Sequence, residues 1–323
     1  MLYPFTFTPR FKERVWGGRN LERLYAKRLP AAVPIGESWE ITDRPGDVSV
    51  IANGPHAGRD LRWLMKEHAP ALLGQAAALN GRFPLLIKIL DAQDTLSLQV
   101  HPPAAKAAEL KGEPKTELWF ITDARPDAAL YAGLRHGVTR AEFERRIADG
   151  TVAECFHRHA VRAGDALFLP SGRVHAIGAG NVIFEIQQNS DTTYRVFDWN
   201  RVGLDGKPRE LHIAESLASI DFDDFEPPLA PGTTRPEGPA RVRELVRCPL
   251  FTVEQWTLDT AGTVPLAPGI MHLLAAVTGR LRVEAAPGTV DLTPGHFALV
   301  PASVNATLRA EQPAAWLRAE AGR

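Results

Sequence analysis

Val48 to Ile51, Leu85 to Leu90, Thr95 to His101 and Val182 to Gln187 are alternating or β-branched runs bounded by Gly and Pro, and they predict a mainly β protein. Helices are predicted at Leu61 to Leu73, behind Asp60 and ending at Gly74, in a short stretch around Ala104 to Lys111, and at Arg140 to Asp149. The last carries both terminal signals. Thr139 followed three residues on by Glu142 forms a capping-box pattern, and Gly150 is placed to end the helix.

A Pro- and Gly-rich stretch without periodicity, EPPLAPGTTRPEGPA at 226–240, predicts a linker between a first unit at 1–225 and a second β-rich unit at 241–323. AGDALFLPSGRVHAI from Ala163 matches PGHFALVPASVNATL from Pro294, with the Gly and the downstream Pro in register, so two related barrels are expected, with the helices attached to the first. His175 aligns with Ala306, and Glu117 with Leu273. Any metal is therefore expected in the first unit, the second lacking ligands.

Composition narrows the setting. With 45% hydrophobic and 23% charged residues the chain reads as globular, and a net charge of −1 gives no reason to expect nucleic acid or an anionic membrane as partner. The opening segment lacks a signal-peptide pattern and no apolar run reaches membrane-spanning length, so a cytoplasmic address is expected. Cys155 and Cys248 are too few for a disulfide framework and are expected to be buried or idle thiols.

The chemistry centres on TLSLQVH. A strand alternates its faces, so Ser97, Gln99 and His101 share one side while Leu96, Leu98 and Val100 share the other. An ordinary amphipathic strand would look the same. What changes the picture is the company: Lys115-Thr116-Glu117 opens a second strand-like run, and His175 follows a Pro170-Ser171-Gly172 turn. Two His and a carboxylate fit a divalent metal, with the Gln99 amide oxygen as a fourth ligand; zinc, iron, manganese, cobalt and nickel all suit such donors. A polar run, Glu185 to Arg195, follows an apolar strand and is either a solvated loop or a used surface.

Taken together, FKERVWGG at 11–18, GESWEITD at 36–43, LSLQVHP at 96–102, KTELWF at 115–120, PSGRVHAIG at 170–178 and EIQQNSDTTYRVFDWNR at 185–201 resemble the type I phosphomannose isomerase family in its short bacterial form, a cupin-superfamily group. The resemblance runs to about residue 225 and implies two cupin-like jelly-roll β-barrels and interconversion of mannose 6-phosphate and fructose 6-phosphate with one bound zinc ion. It implies His101, Glu117 and His175 as metal ligands with Gln99 at an additional amide position. It also implies Arg195 and Glu185 as active-site residues, Ser97 and Lys115 as pocket residues, and Arg201 as a basic residue near the phosphate.

An enediol-type reaction needs charge stabilisation at O1 and O2, expected from the metal and Arg195. Candidates for the base are Glu185, a metal-activated hydroxide and Lys115, and the phosphate is expected at Lys115 and Arg201 with Ser97 or Ser171 adding neutral hydrogen bonds. Glu185 can instead serve to orient Arg195. No Gly-rich nucleotide loop is found, so neither ATP nor a nicotinamide is implied. The alternatives are another metal-dependent cupin enzyme, an oxygenase or epimerase, and a non-catalytic sugar-binding cupin.

Overall fold

Along the strand Asn181–Gln188, Val182, Phe184 and Ile186 join one apolar cluster, while Ile183 joins another on the side shared with Glu185 and Gln187. That strand lies inside a six-stranded antiparallel sheet ordered Ala166–Leu169, Glu117–Ala124, Asn181–Gln188, Leu85–Ala92, Ile35–Ile41, Arg10–Gly18. A five-stranded sheet faces it, ordered Phe156–Ala160, Ala129–Leu134, His175–Ile177, Leu98–Val100, Tyr194–Phe197. Leu90, Trp119 and Ile183 of the first sheet pack with Leu130, Ala132 and Ile177 of the second. The structure, a computed structural model, describes residues 1–322.

A second pair of sheets follows. Six strands run in the order Arg235–Glu237, Ala240–Arg247, Phe251–Leu258, Ala314–Ala321, His272–Thr278, Phe297–Val300, and four in the order Gly262–Pro265, Ala306–Ala310, Leu281–Ala285, Gly288–Leu292. The two six-stranded sheets meet through their apolar backs, with the Phe184 and Phe297 rings 5.1 Å apart and Phe5 bridged to Leu299. The repeat seen in the sequence has a structural counterpart here. Ala166–Leu169 and Phe297–Val300 are each an edge of a six-stranded sheet, and the chain then crosses to the opposing sheet as His175–Ile177 or Ala306–Ala310.

The expected pair of cupin jelly-roll barrels is not what forms. The fold is mainly β, built of several open antiparallel sheets that do not curl closed, with helices in the first half. In each large sheet the first and last strands of the order do not pair with one another, and two edge strands of the second half carry Pro236 and Pro265, which have no N–H to donate to a closing neighbour. Period-two patterning tells which face of a strand is buried and is silent about whether the outermost strands join.

Helix signals held where side chains cap. Asp60 Oδ1 accepts from Trp63 N at 2.7 Å to start Leu61–Leu73, which kinks at His68 ahead of Pro70, and Gly74 ends it at φ +62°. Thr139 Oγ1 accepts from Glu142 N at 3.2 Å to start Arg140–Ala148, but the Glu142 carboxylate pairs with Arg146 instead of completing the box. The helix expected to reach Lys111 is confined to Ala104–Ala107. Short helices at Asn20–Tyr25 and Ile213–Ser219 were not foreseen. Cys155 is buried and Cys248 partly so, both free, and burial pushes the Cys155 thiol up to about 11.

Candidate active site

His175 opens its strand directly opposite Gln99, and Arg195 pairs with Gln99 from the other side, so the five-stranded sheet presents these residues in one cross-strand row. His101 follows at the end of the Leu98–Val100 strand. Glu117 comes from the facing sheet, as the first residue of Glu117–Ala124. The cluster of His101, Glu117 and His175 thus spans the gap between the sheets. All three residues are buried, and their ligating atoms lie within 4.8 Å of one another.

Glu117 Oε1 is 3.3 Å from His175 Nε2 and 3.6 Å from His101 Nε2. Each imidazole has a backbone carbonyl at its other nitrogen: Thr192 O at 2.7 Å from His101 Nδ1, and Arg173 O at 2.9 Å from His175 Nδ1. An N–H at Nδ1 satisfies those carbonyls and leaves each Nε2 with a lone pair aimed inward. Burial holds both imidazoles neutral: His101 lies well below the ordinary value, with Lys115 adding to the effect, and His175 lies below it although Glu117 opposes the shift. His101 Nε2 and Glu117 Oε1 find no hydrogen-bond partner among the described residues. Converging buried acceptors without a proton between them are costly, and a divalent cation resolves the cost. The donor set therefore fits a divalent metal.

Gln99 sits beside this cluster with Nε2 3.2 Å from His175 Nε2 and Oε1 3.3 Å from Ser97 Oγ. Turning the amide by half a revolution presents its oxygen to the cluster and its NH2 to Ser97.

From Glu117 a file of alternating charges runs along the inner face of the six-stranded sheet. Lys115 Nζ is 3.0 Å from Glu117 Oε2 and 3.9 Å from Glu185 Oε1, and Lys88 Nζ is 3.4 Å from Glu185 Oε2 and 3.9 Å from Glu37 Oε2. Trp119 Nε1 donates to Glu185 Oε1 at 3.0 Å, and Trp39 Nε1 donates to Glu37 Oε2 at 2.6 Å. Burial alone would raise the Glu117 carboxyl, but the Lys115 ammonium outweighs it and holds the group below the usual range. Burial likewise opposes the Lys115 charge, and Glu117 with Glu185 overcomes it, so Lys115 stays protonated.

Ser97, Gln99, Lys115, Glu185 and Arg195 all line one cavity of about 600 Å³. Arg201 does not. Its guanidinium is folded onto Asp198 at 2.8 Å and Asp94 at 3.3 Å and donates to the Thr95 carbonyl. Ser171 is also outside the lining and shares a 3.1 Å hydrogen bond with Thr116. Lys88, Glu37, Arg14, Arg209 and His212 line the cavity without having been singled out from sequence. Lys88 did leave a trace, as the one cation in the apolar strand LLIKILDA.

Residues 5–116 match the family model for the catalytic domain of type I phosphomannose isomerase. The chain is 35% identical to the probable mannose-6-phosphate isomerase GmuF of Bacillus subtilis, covering 92% of this chain and 95% of that protein. It is also 35% identical to the mannose-6-phosphate isomerase of Streptococcus mutans, with 94% of each covered. The crystal structure of a mannose 6-phosphate isomerase from Bacillus subtilis superposes with a TM-score of 0.90 at 28% identity, covering 98% of this chain and 99% of that one.

Proposed function

The chain belongs to the type I phosphomannose isomerase family, and from that premise we propose that it interconverts mannose 6-phosphate and fructose 6-phosphate with one bound zinc ion, in the cytoplasm. The observation that carries this reading is the buried convergence of His101, Glu117 and His175 beside a cavity of hexose-phosphate size. Two neutral imidazoles and one carboxylate are a zinc-compatible set that leaves coordination positions for a substrate. No helix among the described residues is long and apolar enough to cross a membrane.

When bound, the ion supplies Lewis acidity to the O1 and O2 side of the open-chain sugar. The remaining work falls to side chains. Glu185, held by Trp119 Nε1 and flanked by Lys88 and Lys115, removes the proton from C2 of the aldose and returns it to C1 of the ketose. The hydroxyl proton moves in the same sense, from O2, which becomes the ketone oxygen, to O1, which becomes the hydroxyl. Lys115 is better suited to donate a hydrogen bond to these oxygens than to act as the base, because Glu117 and Glu185 keep it protonated. Arg195 stabilises the negative charge that develops on the oxygens, and Ser97 donates a neutral hydrogen bond at the same wall. Arg201, bonded to Asp198 and Thr95 O, braces the loop behind this wall.

The test is incubation of purified protein with mannose 6-phosphate in D2O, followed by NMR. Fructose 6-phosphate with deuterium at C1 supports proton transfer through an enediol. Product with no solvent deuterium under any dilution of enzyme contradicts an exchangeable base, and absence of product contradicts the activity.

A further inference from the structure

The strand Arg10–Gly18 is not regular. Lys12 pairs with Glu37, yet Glu13 and Gly18 both fall opposite Ile35, so the residues between them bulge out of the ladder. Bulges re-aim side chains, and this one turns Arg14, Val15 and Trp16 toward the cavity. Gly36 makes the arrangement possible. A Cβ there would stand 2.5 Å from Arg14 Cβ and 2.6 Å from the Trp16 ring, so only a glycine lets the arginine stem cross the neighbouring strand.

Arg14 is then fixed at one end of its guanidinium. Nε donates to Glu37 Oε1 at 2.8 Å and Nη1 to Glu13 O at 3.2 Å, while Nη2 has no protein partner among the described residues. Arg195 and Arg209 line the same cavity, and the Arg195 Nε is buried without a hydrogen-bond partner. Arg209 is held by Asp198 at 2.7 Å, and Asp191 shares the wall without forming an ion pair to Arg14 among the described residues. Guanidinium groups converging on one cavity, with unspent donors, describe a place for a dianion.

We propose that Arg14, aimed by the strand bulge and clamped by Glu37, is the substrate-positioning residue that binds the phosphate of the sugar phosphate and sets the preference for phosphorylated over free sugars. This inference rests on the proposed reaction for the identity of the sugar, and on the bulge, the Gly36 clearance and the unspent donors for the anion. Arg14 touches no reacting carbon, so its contribution is to binding.

The experiment pairs steady-state isomerisation with calorimetric titration of inorganic phosphate, using the metal-loaded full chain and its Arg14→Gln and Arg14→Lys variants. For Arg14→Gln, KM for mannose 6-phosphate rises roughly 10- to 100-fold with kcat nearly unchanged, and phosphate affinity falls about tenfold or more, as loss of charge-assisted hydrogen bonds requires. Arg14→Lys keeps the charge and the Glu37 pair but not the fork, and falls between. An Arg14→Gln protein with wild-type KM and wild-type phosphate affinity overturns the proposal. Should that variant fail to fold, an Arg14→Lys protein indistinguishable from wild type on both measures overturns it instead. A wild-type protein that binds phosphate through Arg14 but does not turn over mannose 6-phosphate overturns the proposed reaction and leaves this assignment standing.

Discussion

Glu117 Oε1 lies 3.3 Å from His175 Nε2, two buried acceptors face to face across the space between the sheets. Removing either side of that relationship is expected to release the metal. In Glu117→Gln and His175→Ala, metal content after dialysis should fall far below the one ion per chain expected of the wild type, with affinity lowered by more than the roughly 10- to 100-fold typical of an outer-shell change. Elemental analysis of the dialysed proteins checks this, and a variant that keeps its ion would remove that residue from the ligand set.

Lys115 shares its charge between Glu117 and Glu185, both buried. Lys115→Met leaves two carboxylates facing each other without that cation, and about 3–5 kcal/mol of stability should be lost, as for other broken buried pairs. Urea unfolding of the metal-free protein reads this apart from any effect on ion binding.

Arg195 stands one strand beyond Gln99 from His175 and pairs with no carboxylate of its own among the described residues. Arg195→Ala should keep the ion and lose roughly 100- to 1,000-fold in kcat, the scale of a lost oxyanion donor. Normal turnover in this variant would end its assignment.

His159 lies away from the cluster, half-buried on the edge strand Phe156–Ala160. Burial, with His157 and Arg173 adding, pushes its imidazole down to about 4. The unfolded chain takes up a proton near pH 6.5 that the folded chain refuses. Stability from this residue is therefore complete above about 6.5 and is lost as pH falls toward 4. His159→Gln should flatten the fall in unfolding free energy over that window by on the order of 1 kcal/mol, a figure discounted for solvent screening. Parallel pH-dependent melts of wild type and variant decide it.

Phe184 packs 5.1 Å from Phe297 where the two six-stranded sheets meet. Phe184→Ala should cost about 3–5 kcal/mol while leaving the cavity lining in place. A lower denaturation midpoint with KM preserved is the expected pattern; a large rise in KM with stability unchanged would contradict it.

The site was legible where chemistry follows the two-residue period of a strand. Ser97, Gln99 and His101 were read onto one face, and the structure sets Ser97 and Gln99 in the cavity lining and buries His101 beside Glu117 and His175. Arg14 was not legible because a bulge breaks that period, and nothing in FKERV announces one. The family resemblance implies Arg201 as a basic residue near the phosphate, and in the structure its guanidinium is paired with Asp198, three residues earlier, a contact the resemblance does not announce. Lys88 was passed over because a lone cation in an apolar strand says that a partner exists without saying which, and Glu37 because its strand IGESWEI carries a second carboxylate, Glu40, with nothing to say which of the two faces the cavity. The barrels failed for a related reason: a repeat and an alternation specify like halves and buried faces, whereas closure depends on edge pairing between strands distant in sequence.

Metal-dependent isomerisation is tested most directly by following mannose 6-phosphate conversion before chelation, after chelation, and after zinc is restored. Fructose 6-phosphate formation that disappears with the chelator and returns with zinc is the predicted result. Conversion that continues undiminished in protein shown to be free of metal would contradict the account.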